Sequence, residues 1–105
     1  MGRITYHKLV RDRIPEIIGQ AGKTCAYSVL PEGEYLELLD EKLNEELAEY
    51  QESKSMEELA DLLEVVRAVA KARGSSIGEV EEIRERKAAK RGGFEKRILL
   101  EEVEE

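Results

Sequence analysis

The chain has 105 residues, 41% hydrophobic and 39% charged, and its 24 acids outnumber 17 lysines and arginines to leave a net charge of −7. That length fits one domain, residues 1–105, with a modest core, and the negative balance excludes nonspecific attraction to nucleic acid or an anionic membrane. A lone cysteine, Cys25, cannot close an internal disulfide and favours a reducing cytoplasm; no leader pattern and no apolar run long enough to span a bilayer is present.

In chain order, the opening Ile4-Thr5-Tyr6-His7-Lys8-Leu9-Val10 leads into Arg11-Asp12-Arg13-Ile14-Pro15. A short helix is predicted from about Ile14 to Gln20, with Pro15 in its first turn and Gly22 beyond its end. Thr24 to Leu30 alternates weakly and reads as a short extended segment, with Cys25 as a small buried hydrophobe. The main helix is predicted over roughly Glu34 to Gln51, with Gln51-Glu52-Ser53-Lys54-Ser55 as the link to a helix from Met56 to Ala72 that stops at Gly74. Ser76-x-x-Glu79 is a capping box that opens a fourth helix, ended near Arg91 by Gly92-Gly93. The tail from Phe94 to Val103 has apolar residues at Phe94, Ile98, Leu99 and Leu100 but no clear partner. The class is all-α, an antiparallel bundle of about four helices.

Two acidic words stand out: Glu45-Glu46-Leu47-Ala48-Glu49 and Glu58-Leu59-Ala60-Asp61. Acids three apart share a helix face. If the two helices run in opposite directions, Glu49 falls level with Glu58, and Glu46 with Asp61. Four carboxylates then converge, and no cation of the two helices is placed to offset them. Like charges so close cannot all stay ionised without a cation among them, and hard divalent ions suit oxygen ligands. On the helical wheel Met56, Leu59, Leu62, Leu63, Val65, Val66, Val69 and Ala70 make a broad apolar arc that contains Glu58 and has Asp61 at its margin. Glu57, Glu64, Arg67 and Lys71 take the solvated face. On the preceding helix the stripe is Leu36, Leu39, Leu43, Leu47 and Tyr50, with Glu46 beside it, Glu49 on the flank and Glu45 turned to solvent. An acid on a packed face costs several kcal/mol unless paired or liganded. Two bland explanations compete: so acidic a chain spaces acids three apart by chance, and Ser55-x-x-Glu58 is itself a capping box.

The apolar arc is wider than one neighbouring helix can cover. It predicts a homo-oligomer, a symmetric dimer or a dimer of dimers, unless the N-terminal helix and the tail cover it.

Glu45-Glu46-x-x-Glu49 followed by Glu58-x-x-Asp61 resembles the EExxE…ExxD signature of the MazG-like, all-α nucleoside triphosphate pyrophosphohydrolases. The flanking words Lys8-Leu9-Val10-Arg11-Asp12-Arg13-Ile14-Pro15 and Lys90-Arg91-Gly92-Gly93-Phe94 resemble its phosphoribosyl-ATP pyrophosphohydrolase-like branch. Only eight residues separate Glu49 from Glu58, fewer than in many members, which implies a tight turn in place of a long lid. The resemblance implies Mg²⁺-dependent cleavage of an α–β phosphate bond, giving a nucleoside monophosphate and pyrophosphate. Glu46, Glu49, Glu58 and Asp61 would hold Mg²⁺, or Mn²⁺ in its place. Glu46 or, second, Glu45 would take the proton of the attacking water, and Lys8, Arg11, Lys87 and Arg91 would contact phosphates. The substrate is then a nucleoside triphosphate or a related nucleotide. Phosphoribosyl-ATP hydrolysis in histidine biosynthesis is the alternative within this chemistry. A non-catalytic helical interaction module, its acids mere surface charge, is the alternative outside it.

Overall fold

A computed structural model describes residues 2–105. The described residues form four helices and no strand: α1 (Ile14–Gln20), α2 (Glu32–Ser53), α3 (Met56–Ala72) and α4 (Ile77–Arg91). The all-α class and the number of helices are as expected. Pro15 sits in the first turn of α1, where its missing N–H is no loss. Beyond that helix Gly22 takes a left-handed φ of 79°, which lets the Lys23 N–H reach the Ile18 carbonyl at 3.2 Å. Thr24 to Leu30 pairs with no strand, and Cys25 is exposed rather than buried, because this connection packs under no other element.

Helix α2 is longer at both ends than its predicted span. It starts directly after Pro31, whose extended conformation makes it the N-cap, and two early acids suit the positive end of the helix dipole. It runs on through Gln51, Glu52 and Ser53, so the link is only Lys54-Ser55. Lys54 adopts the left-handed conformation at φ 59°, and its N–H bonds the Tyr50 carbonyl at 2.7 Å. A lysine in that role leaves no sequence signal, since glycine or asparagine is the usual choice. Ser55 then caps α3 by accepting the Glu58 N–H at 3.2 Å, and Ser76 caps α4 through Glu79 in the same way at 3.1 Å.

Helices α2 and α3 pack closely along their lengths, and α4 packs on α3; α1 packs on none of them. Asp40, early in α2, pairs with Arg73 just past α3 at 2.8 Å, while Glu46 meets Glu58 and Asp61. Contacts paired in that order make α2 and α3 a hairpin. The solvated face is as expected, with Glu57, Glu64, Arg67 and Lys71 exposed. The apolar stripes are not fully covered. Only Leu39 and Ala70 are buried hydrophobics among the described residues, and Leu47 is half-exposed. On α3, Met56 and Leu63 are 67% and 58% exposed.

The chain measures 65 × 31 × 25 Å and presents 9880 Å² to solvent. A compact monomer of 12.0 kDa would present about 6,000 Å². Neither α1 nor the tail covers the arc, and Phe94, Ile98, Leu99 and Leu100 are themselves exposed.

Candidate metal centre

The hairpin brings acids of both helices together. Glu46 of α2 and Glu58 and Asp61 of α3 each offer a carboxylate oxygen within 4.8 Å of the other two. The two-residue link fixes that register, since a longer turn would let α3 slide along α2. Glu46 is buried at 7% exposure, and Glu58 and Asp61 are half-buried. One oxygen of Glu46 and one of Glu58 are buried without a hydrogen-bond partner. Leaving a buried acceptor unpaired costs roughly 1–3 kcal/mol, and more when it is charged.

The capping box explains only half of Glu58. Its backbone N–H goes to the Ser55 hydroxyl, but the reciprocal bond of its carboxylate to the Ser55 N–H is not made. The Ser55 N–H goes instead to the Ser53 hydroxyl at 3.2 Å. The Glu58 carboxylate is thereby free to face Glu46 and Asp61.

Glu49, expected as a fourth member, is exposed on the flank and lies outside the tight group of three. It still acts on two of them. Burial pushes the Glu46 carboxyl above its ordinary range, and the neighbouring carboxylates of Glu49 and Asp61 add to this against the opposing pull of Lys42. Glu58 is raised for the same reasons, desolvation first and then the charge of Glu49.

Three cations surround the acids. Lys8 Nζ lies 2.7 Å from Glu45 Oε1, and Arg11 Nη2 lies 2.7 Å from Asp61 Oδ1. Both belong to the segment before α1, and both were predicted from sequence as phosphate contacts. The third is Lys42, whose Nζ lies 3.4 Å from Glu45 and 3.5 Å from Glu46. This corrects the expectation that no cation of the two helices offsets the acids. The signal was present as a lysine three and four residues before two acids. Glu45 is likewise not a solvated acid. It is half-buried between two lysines, and its hydrogen bond to Lys8 holds its carboxyl below the ordinary range.

Five carboxylates therefore face three cations, which leaves two negative charges, the charge of one divalent ion. Lys87 and Arg91 are exposed on α4, and no ion pair among the described residues ties them to the acids. Two surface grooves lie elsewhere. One of 490 Å³ runs between α1 and the following connection around Pro15, Gly19 and Tyr27, and one of 330 Å³ lies on the apolar face of α3.

The raised carboxyls give a pH prediction. A carboxyl whose folded pKa lies above its unfolded value binds its proton more tightly in the folded state. Its contribution is complete below the unfolded pKa and is lost as pH rises through the folded one. Metal-free protein should thus lose stability from this source as pH rises above the ordinary carboxylate range near 4.5. Thermal unfolding of Glu46→Gln and Glu58→Gln beside the wild type checks it, because the variants lack the raised group and should lose less stability over that window. A wild-type profile parallel to both variants would contradict the shifts.

No family model matches the chain, and no solved structure matches it. Over 42 residues it is 52% identical to an uncharacterized protein of Mycolicibacterium smegmatis, across 40% of this chain and 43% of that protein. The match thus spans less than half the length of that relative, whose description states no activity.

Proposed function

We propose that this chain is a Mg²⁺-dependent nucleoside triphosphate pyrophosphohydrolase that cleaves the α–β phosphate bond. The observation that carries the reading is the group of Glu46, Glu58 and Asp61 across the hairpin, with two buried oxygens lacking partners. Unpaired inward-facing carboxylate oxygens and a residual charge of two are what a hard divalent ion requires. Glu46, Glu58 and Asp61 would hold it, with Glu49 beside them. The likeness of the two acidic words and their flanks to the MazG-like signature supports the reaction type.

Bound there, Mg²⁺ supplies neutralisation of phosphate oxygens and of the departing pyrophosphate. The remaining tasks fall to the chain. Glu46, at the group of three, is the proton acceptor for a water attacking the α-phosphorus; Glu45, engaged by Lys8 and Lys42, comes second. Arg11 and Lys8 supply positive charge at the edge of the acids, where a triphosphate must lie. Lys87 and Arg91 would join them only across a contact that one chain does not make. The uncovered apolar faces are the ground for proposing a homo-oligomer, and Cys25 for a cytoplasmic location.

Mg²⁺-dependent pyrophosphate release from a panel of common nucleoside triphosphates and phosphoribosyl-ATP tests the reading. Release from the former supports it, and release from phosphoribosyl-ATP alone moves it to histidine biosynthesis. Absence of release from every member, with Mg²⁺ or Mn²⁺, overturns it in favour of an interaction module.

A further inference from the structure

We propose that Arg11 is the exchangeable cation of this site: it competes with the divalent ion for Asp61 and, once displaced, becomes a phosphate ligand. The inference rests on the function proposed above and concerns how that site changes partners.

The two N-terminal ion pairs are not equivalent. Lys8 binds Glu45, which lies outside the group of three and is also held by Lys42. Arg11 binds Asp61, a member of the group, through a single short contact of Nη2 to Oδ1. Asp61 therefore cannot present that oxygen fully to a cation and to Arg11 together. The inner oxygens of Glu46 and Glu58, by contrast, are already without partners. Of the three acids, only Asp61 is paired with a cation from outside the hairpin, so an ion and Arg11 compete for the charge of one carboxylate.

Arg11 is built to leave. Its side chain is 59% exposed and that of Asp61 is 43% exposed, so the pair is screened and weak. It sits in the turn just before α1, where its carbonyl accepts the Ile14 N–H at 3.1 Å. That short helix packs on no other helix, so moving Arg11 disrupts no core. A divalent ion shared among three carboxylates outcompetes one exposed guanidinium. The freed fork, beside the newly neutralised acids, suits two oxygens of a phosphate.

Two effects of opposite sign follow for Arg11→Gln. Mn²⁺ alone should bind about two- to fivefold more tightly than to wild type, the equivalent of one exposed ion pair. Mn²⁺-saturated variant should bind inorganic tripolyphosphate about tenfold or more weakly, as expected on losing a charge-assisted bond. Arg11→Lys should fall between. Arg13→Gln, which removes the same charge from an exposed pair with Glu16, should change neither. Calorimetry with Mn²⁺ and then tripolyphosphate reads both effects without turnover. If the variant binds both more weakly, or Mn²⁺ with unchanged affinity, while wild-type binding still depends on Glu58, the exchange is wrong and the metal site stands. If neither wild type nor Arg11→Gln binds Mn²⁺, the functional reading fails and the exchange with it.

Discussion

Glu58→Gln and Asp61→Asn are each expected to abolish nearly all Mg²⁺-dependent pyrophosphate release, while Glu52→Gln leaves it close to wild type. The first two remove members of the only group of three convergent acids among the described residues. Their loss should exceed the roughly 10–100-fold cost of removing an outer-shell partner of a metal ligand. Glu52 lies one turn past the acidic word on α2, exposed and without an ion pair, so it controls for charge alone. Glu49→Gln should lie between these, because Glu49 is exposed yet acts on Glu46 and Glu58 through its charge. The same assay in ¹⁸O-labelled water reports the site of attack. Label in the monophosphate places it at the α-phosphorus. Orthophosphate as first product, or equal effects of Glu58→Gln and Glu52→Gln, would contradict the mechanism.

The second large effect concerns assembly. The chain presents 9880 Å² where a compact monomer of its mass would present about 6,000 Å², an excess per chain larger than the roughly 1,000–2,500 Å² that each partner gives to an obligate interface. The uncovered surface includes Met56, Leu59 and Leu63, three, four and seven residues apart on one face of α3, around an apolar groove of 330 Å³. Light scattering at micromolar concentration should find a dimer or larger, and Leu63→Glu should shift it toward the 12.0 kDa chain, since two buried charges would then face one interface. Wild-type protein already monomeric at that concentration would defeat this.

Much of the hairpin was legible because its signals are local. The apolar period of α3, the Ser55 and Ser76 caps and the glycine stops depend on neighbours within a turn or two, and α3 has its predicted bounds. The acidic register followed from helix geometry and a short link, and Glu46, Glu58 and Asp61 do meet. Features that depend on tertiary partners were less legible. The Lys54 stop uses a residue that seldom takes a left-handed conformation, so α2 overran its predicted end. Wheel position alone placed Glu45 in solvent and missed Lys42, whose long stem carries its charge across to both acids. Cys25 was expected inside because small sulfur residues usually are, yet it is exposed, and none of the described residues covers its connection.

Thermal unfolding with and without Mg²⁺ tests most directly whether Glu46, Glu58 and Asp61 form a divalent-ion site, since an ion that binds the native state alone must stabilise it. At a hundredfold excess over Kd the gain is about 2.7 kcal/mol, roughly 10 °C in a chain of this size. Wild-type protein should show that rise, and Glu58→Gln and Asp61→Asn should show little or none. A rise of equal size in both variants, or no rise in wild type with either Mg²⁺ or Mn²⁺, would contradict the site.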